Sequence, residues 1–411
     1  MRPSALRRCL PALPASLPPR RGFTVKMSGE IFPSFPRFVP VVDGHHGITS
    51  VSDSKSDKTG CLIRVVSYNI LAQAYVKSSL FPHSPSPCLK WKARSQAVLA
   101  ELRSLDADFL CIQELDEYES FYKRNMENLG YSSIYIQRSG KKRDGCGIFY
   151  KSSRVQLIMK ETIEYNDLAS SIEDEIHLRC AVGPRSASEP KHNSLPTVNK
   201  TSDAAQDINQ NERGDPNDPY VRLKRDCVGI LAAFRLLDDF QHLVVLANTH
   251  IYWDPEWADV KLAQAKYLLY RLAQFKAIVL ERFNCEPAVV VAGDFNSTPG
   301  DKVYQFMLSG HDATSISGQS TSPLDLPDQS PIALKSLYAF VKEEPAFTNC
   351  TPGFTGTLDY IFFADTDHLK PVSTLQLPDP ESSDVVEGLP NYKHPSDHLP
   401  IGADFEISGQ A

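Results

Sequence analysis

Ala288-Val289-Val290-Val291-Ala292-Gly293-Asp294-Phe295-Asn296-Ser297 is the stretch on which the fold turns. Five small or β-branched apolar residues make a buried strand, and Gly293 breaks it into a polar end. The same grammar recurs through the chain. The strand Leu62 to Ser67 runs into Tyr68-Asn69-Ile70-Leu71, and Phe109 to Gln113 runs into Glu114. Leu243 to Ala247 ends in Asn248-Thr249-His250. Leu358-Asp359-Tyr360-Ile361 opens another strand, and Ser396-Asp397-His398-Leu399-Pro400 precedes a last one, Ile401 to Phe405. One such polar end is ordinarily a turn or a cap. Repeated through one chain, they describe strands that deliver Asn, Glu, His and Asp to a common edge.

Working outward, Trp91 to Leu105 carries Val98, Leu99, Leu102 and Leu105 at helical spacing. A second helix starts at Asp254-Pro255-Glu256, with Asp254 as cap and Pro255 at the first helical position. Its apolar face continues through Val260, Ala263, Tyr267, Leu268, Leu272, Phe275 and Val279. Cys146 to Tyr150, Val155 to Ile158 and Cys227 to Leu236 are further strands, the last turning at Asp238-Asp239. Strands dominate and the tight βαβαβ alternation of a Rossmann fold is missing. The expected class is α/β of the α+β type, a two-layer β-sandwich flanked by helices.

The 411 residues carry 43 Lys+Arg against 50 Asp+Glu, a net charge of −7. That balance argues against holding nucleic acid by bulk positive charge, but does not exclude a nuclease, since carboxylates that bind metal ions add negative charge. No apolar run approaches the roughly 20 residues that span a bilayer. The nine cysteines are scattered without a CxxC pair and read as free thiols in a reducing compartment. Residues 1–29 form a basic, Pro/Arg-rich leader with no acid, either an organelle transit peptide or a disordered start, with Met27 as a possible second initiator. Residues 30–60 are an expected extended arm whose aromatics strap a surface or serve as linker. The catalytic domain is expected over 61–407, with a disordered insertion at about 183–219.

The residue types at the strand ends match one chemistry. Glu114, Asn69 and Asp397 are hard oxygen donors suited to Mg²⁺ or Mn²⁺. His250 and His398 can face a phosphoryl oxygen. Asp294 can orient or deprotonate water, and Asn296 can hold the transferring phosphoryl group.

In order along 61–407, Ser67-Tyr68-Asn69-Ile70-Leu71, Gln113-Glu114, Asp144-Gly145-Cys146-Gly147, Asn248-Thr249-His250, Gly293-Asp294-Phe295-Asn296-Ser297, Leu358-Asp359-Tyr360-Ile361 and Ser396-Asp397-His398 resemble the endonuclease/exonuclease/phosphatase superfamily. Within it, Asn248 to Glu256 and Thr348-Asn349 to Tyr360 are similar to the carbon catabolite repressor-type and nocturnin-type deadenylases, nearest to plant homologues without leucine-rich repeats. The resemblance implies a pancreatic deoxyribonuclease-like fold and a Mg²⁺-dependent 3′→5′ exoribonuclease. That enzyme shortens single-stranded poly(A) tails and releases 5′-AMP, with two ions and Mn²⁺ as a substitute. By the same resemblance Glu114, Asn69 and Asp397 hold metal. Asp294, Asn296, His250 and His398 do the chemistry, with Asp359 orienting His398. Pro255 and Phe354 line the adenine, and Asn349 and Asp144 join the substrate site. Alternatives of the same fold are a phosphatase acting on a nicotinamide dinucleotide 2′-phosphate and cleavage of 2′,5′-oligoadenylate. An inactive RNA-binding scaffold is disfavoured by the intact site set.

No repeat of 20–50 residues occurs, so a leucine-rich-repeat tether to a deadenylase complex is not expected. The implied location is cytoplasm and nucleus, or mitochondrion or plastid if the leader is a transit peptide. The basic runs Arg138, Lys141, Lys142, Arg143 and Arg222, Lys224, Arg225 are expected to steer phosphate.

Overall fold

The computed structural model describes residues 36–41, 60–170, 215, 218–310 and 326–408. The leader, nearly all of the expected arm and nearly all of the expected insertion lie outside these residues. In chain order the strands are β1 (Phe38–Pro40), β2 (Gly60–Asn69), β3 (Phe109–Gln113), β4 (Tyr131–Gln137), β5 (Gly145–Lys151), β6 (Val155–Glu164), β7 (Val228–Leu236) and β8 (Leu243–His250). There follow β9 (Ala288–Asp294), β10 (Leu334–Ser336), β11 (Asn349–Thr351), β12 (Phe354–Gly356), β13 (Asp359–Ala364), β14 (Leu369–Leu375) and β15 (Ile401–Ser408).

They form two sheets and a hairpin. One sheet runs β1-β14-β15-β2-β3-β5-β4, the other β10-β13-β9-β8-β7-β6, and β11-β12 stands apart. Each sheet is antiparallel but for one central parallel pair, β2·β3 and β8·β9. A parallel pair needs a long crossover. The two helices read from the sequence, Trp91–Leu105 and Ala258–Phe283, lie within those crossovers. They cover the outer faces. Val98, Leu102 and Leu105 pack on the first sheet, and Val260, Leu268, Leu272, Phe275 and Val279 on the second. Between the sheets, Val65, Phe109 and Ile148 meet Phe234, Leu246 and Val290. This is the expected two-layer sandwich with outer helices.

β9 is buried along its whole length, which explains its unbroken apolar run. The parallel register sets Asn69 beside Gln113 and His250 beside Asp294. The antiparallel register sets Asp359 beside Asp294. These pairings bring the polar ends to one edge of the sandwich. A side chain at Gly293 would bring its Cβ within 2.2 Å of the Thr249 carbonyl oxygen, so only glycine lets β8 and β9 close there.

Several boundaries differ from the sequence expectation. β2, β6 and β15 extend by several residues, because hydrogen bonding continues after the apolar pattern stops. Asp254 does cap the helix start, its carboxylate accepting from the Glu256 amide at 3.0 Å. Its first turn, Pro255–Trp257, is a 3₁₀ turn, and the α-helix begins at Ala258. β1, part of the expected arm, pairs with β14, and the Arg64 guanidinium lies 3.7 Å from the Phe38 ring centroid.

Candidate functional site

Asn69, at the end of β2, is fully buried. Its Nδ2 donates to Asp294 Oδ2 at 2.9 Å and to Glu114 Oε1 at 3.2 Å. Its Oδ1 accepts the Leu71 amide at 3.0 Å. The amide nitrogen therefore faces the two carboxylates and the amide oxygen the Leu71 N–H. Turned round, the oxygen would meet two carboxylates and the nitrogen a backbone N–H. Glu114 Oε2 accepts the Ala72 amide at 2.9 Å. Leu71, Glu114 and Asn296 all adopt left-handed backbone, with φ of 56°, 52° and 46°. Such conformations carry strain in non-glycine residues and cluster where a site over-determines the chain.

Asp294 is the hub. Oδ1 accepts the Asn296 amide at 2.9 Å. Oδ2 lies 3.5 Å from His250 Nε2 and 3.8 Å from His398 Nε2. His398 Nδ1 meets Asp359 Oδ2 at 2.7 Å, and Thr348 Oγ1 donates to that same oxygen at 2.6 Å. Asn296 is tied by its side chain to the Ile251 carbonyl at 3.1 Å. Lys261, buried on the long helix, donates to the Asn296 carbonyl at 2.8 Å.

The charges are set by burial and by one another. Burial raises the Asp294 pKa, with His250 opposing. Burial lowers the His250 pKa, with Asp294 opposing. At His398 burial disfavours the charged form, but the Asp359 carboxylate outweighs it and holds the pKa well above the usual histidine range. Glu114 is pushed up to about 8 by burial, then by the negative charges of Asp397 and Asp144. The Asp397 and Asp144 charges acting on Glu114 favour a cation beside it. The donors are hard oxygens, so the residues present fit Mg²⁺ or Mn²⁺. One ligand atom each from Asp294, Asp359 and His398 also fall within 4.8 Å of one another.

Not every expected substrate contact sits alike. Pro255 is exposed at its helix start, and Phe354 is 41% exposed at the start of β12. Asn349 is buried and its backbone bridges to His398, so it stands against the site rather than on the rim. Asp144 is 1% exposed and is held by the Tyr75 hydroxyl at 2.5 Å and by Arg138 at 3.5 Å. Arg138 also donates to the Asp226 and Arg225 carbonyls, and Arg222 pairs with Asp259 at 2.6 Å. Arg138 thus ties its own strand end to the Arg225–Asp226 segment, and Arg222 ties the short helix Pro219–Leu223 to the long one.

Sequence reasoning passed over Arg94, Thr348, Tyr75 and Lys261. Arg94 is 2% exposed and binds Ile70 O, Leu71 O, Pro395 O and Gln73 Oε1 at 2.6–2.9 Å. It joins the loop after Asn69 to the segment before Asp397. Only its position among apolar helix residues signalled burial.

Comparison with known proteins shows the family. Residues 66–398 match the endonuclease/exonuclease/phosphatase family, and the chain belongs to that family. It is 58% identical over 351 residues to carbon catabolite repressor protein 4 homolog 4 of Arabidopsis thaliana, spanning 85% of this chain and 78% of that one. It is 27% identical to the CCR4-Not complex 3′-5′-exoribonuclease subunit Ccr4 of Phaeosphaeria nodorum, over 88% of this chain but only 62% of the fungal one. Among solved structures it is similar to ANGEL2, a 2′,3′-cyclic phosphatase in complex with adenosine-2′,3′-vanadate. That match has a TM-score of 0.62 and 26% identity, covering 85% of this chain and 97% of that one. The protein is a hydrolase of the nuclease/phosphatase type, in a family of metal-dependent enzymes.

Proposed function

We propose that this family member is a Mg²⁺-dependent 3′→5′ exoribonuclease that shortens poly(A) tails and releases 5′-AMP. One observation carries the reading most directly. The Asp294 carboxylate stands between His250 and His398, with Asn69 linking it to Glu114. The fungal relative's name, a 3′-5′-exoribonuclease subunit, supports the polarity and an RNA substrate.

In this reading Asp294 Oδ2 takes the proton of the attacking water, a role favoured by its raised pKa. His398, held protonated by Asp359, presents Nε2–H to a non-bridging phosphoryl oxygen. His250, kept neutral by burial, hydrogen-bonds a second one. Asn296 is fixed by Ile251 and Lys261 where it can hold the transferring group. The bond from phosphorus to the 3′ oxygen of the upstream nucleotide breaks, and the terminal nucleotide leaves with its 5′-phosphate. Glu114 and Asp397 would hold Mg²⁺, with a second ion as an expectation, and the metal supplies charge neutralisation for the phosphoryl group. The partners in this reading are poly(A) RNA and, by analogy with the fungal CCR4-Not complex subunit, components of such a complex reached without a leucine-rich-repeat tether. Cytoplasm and nucleus go with this activity, and mitochondrion or plastid with an imported leader.

The test is a time course on 5′-labelled RNA with a 3′ A-tract. A ladder stopping at the A-tract boundary supports a deadenylase, and digestion through it indicates a general exonuclease. Glu114→Ala should give neither. The ANGEL2 similarity favours a second reading, hydrolysis of a 2′,3′-cyclic phosphate at an RNA end. The same preparation on an RNA ending in that group decides it, with the nicotinamide dinucleotide 2′-phosphate as a further comparison.

A further inference from the structure

The β11-β12 hairpin grows directly out of the catalytic edge. Asn349 bridges to His398, and the Cys350 amide donates to the Asp397 carbonyl at 3.1 Å. Side chains alternate along a strand, and directly paired residues share a face. Cys350 pairs with Thr355, so these two share one face, and the pairs Asn349–Gly356 and Thr351–Phe354 share the other. Residues 385–389 brace the hairpin. Cys350 Sγ donates to the Val385 carbonyl at 3.7 Å, and the Leu389 amide donates to the Cys350 carbonyl at 2.8 Å. At the turn, a Cβ on Gly388 would stand 3.3 Å from Pro352 Cδ. The platform that carries Phe354 is therefore fixed at its base, its side and its tip.

On the other face the Phe354 ring is folded back along β12. A Cβ at Gly356 would lie 2.8 Å from Phe354 Cζ, 3.4 Å from Cε1 and 3.6 Å from Cε2. The far edge of the ring thus occupies the space that a side chain at 356 would fill. Gly356 is not among the residues with left-handed backbone, so its conformation does not call for glycine. What the position needs is the missing side chain. Gly356 pairs with Asn349, which bridges to His398, so the ring edge rests one strand pair from the catalytic histidine. The residue is still 41% exposed, which leaves ring surface for a base.

We propose that Gly356 is a positioning residue for the base of the terminal nucleotide: having no side chain, it lets the Phe354 ring lie back toward His398, where the base meets it. The proposal rests on the exonuclease reading and on Phe354 as the ring that stacks that base. A side chain at 356 would lift the ring away from the histidine and leave the hairpin in place. The clash is with the free end of a side chain, not with backbone.

The test is equilibrium binding of 5′-AMP in Mg²⁺, which is independent of turnover. Wild type, Gly356→Ala, Phe354→Ala and the double variant are compared. Gly356→Ala should raise Kd about three- to tenfold, part of the loss expected when a stacking ring is removed altogether. Its Tm should stay within a degree or so, since alanine suits an ordinary strand backbone. Phe354→Ala should raise Kd at least as much. Adding Gly356→Ala to Phe354→Ala should then change Kd by less than about twofold, because the ring that the new Cβ displaces is gone. An unchanged Kd in Gly356→Ala, an equal rise in both backgrounds, no effect of Phe354→Ala, or no binding of 5′-AMP by wild type overturns the proposal. Failure of the exonuclease reading shows separately, as wild-type protein that binds 5′-AMP but leaves the 5′-labelled A-tract intact.

Discussion

His398 Nδ1 lies 2.7 Å from Asp359 Oδ2, and the bond joins the start of β13 to the segment that leads into β15. It fixes the ring so that Nε2 points to Asp294, 3.8 Å away. It also supplies the charge that keeps the imidazole protonated against burial. Asp359→Asn preserves the shape and removes the charge. We expect kcat on an A-tract RNA to fall by roughly a hundredfold or more while KM changes little. Wild-type kcat in that variant would remove Asp359 from the catalytic arrangement.

Arg94 makes a different kind of contribution. Its guanidinium is buried with backbone carbonyls and one Gln oxygen as partners. Replacement by Met would leave those carbonyls unanswered, at about 1–3 kcal/mol for each group that cannot relax. We expect Arg94→Met to lower Tm by several degrees and to depress kcat, because the strand end bearing Asn69 and the segment bearing Asp397 lose their common tie. A variant with unchanged Tm and unchanged kcat would show that the two segments hold their places without it.

That contrast marks what could be read in advance. Asn69, Glu114, His250 and Asp294 were legible because each stands where an apolar strand runs out, and Asp397 because it stands just before one begins, both local signals. Arg94 was not, because an arginine on an amphipathic helix ordinarily faces water. Its acceptors come from residues 70, 71 and 395, which only the closed sandwich brings together. β14 escaped for a related reason. Its buried positions alternate, but Pro371 stands in the run, and the register with β15 shifts between Pro371 and Ser373. The turning of Asn69 was hidden too, since a sequence names an amide but not which of its ends faces a carboxylate.

Glu114 trades stability for function. Its carboxylate is pushed up to about 8 by burial and by its acidic neighbours, so the metal-free site is electrostatically unfavourable. Glu114→Gln in EDTA should be at least as stable as wild type while being inactive. Mg²⁺ at a hundredfold its Kd should stabilise wild type by about 2.7 kcal/mol and leave the variant unmoved. Thermal melts with and without Mg²⁺ decide it, and an equal shift in both proteins would place the ion elsewhere.

Phe354 is separable from the fold. Its side chain is 41% exposed, and among the described residues its hairpin is hydrogen-bonded mainly through the backbone. Phe354→Ala should therefore leave Tm within a degree or so, since exposed positions rarely matter to stability. If it stacks the terminal base, KM for an A-tract should rise by roughly five- to a hundredfold, from about 1–3 kcal/mol. An unchanged KM would return Phe354 to the status of a surface aromatic.

Glu101 gives a pH dependence with a definite sign. It is 5% exposed, and its Oε2 accepts the Tyr68 hydroxyl at 2.8 Å, one residue from Asn69. Burial raises its pKa to about 7, with the Tyr68 hydrogen bond opposing. In the unfolded chain the same group titrates near 4.3. Below about pH 4.3 both states hold the proton and the residue adds no pH dependence. Between about 4.3 and 7 only the folded state holds it, so stability falls as pH rises, and above about 7 the full penalty remains. Glu101→Gln keeps an oxygen for Tyr68 and removes the ionisation. At about pH 8 the variant should be more stable than wild type by a few kcal/mol. The gap should close as the pH is lowered toward 5. Urea titrations at several pH values measure this, and parallel stability curves for the two proteins would mean that Glu101 is solvated well enough to ionise at its ordinary pKa.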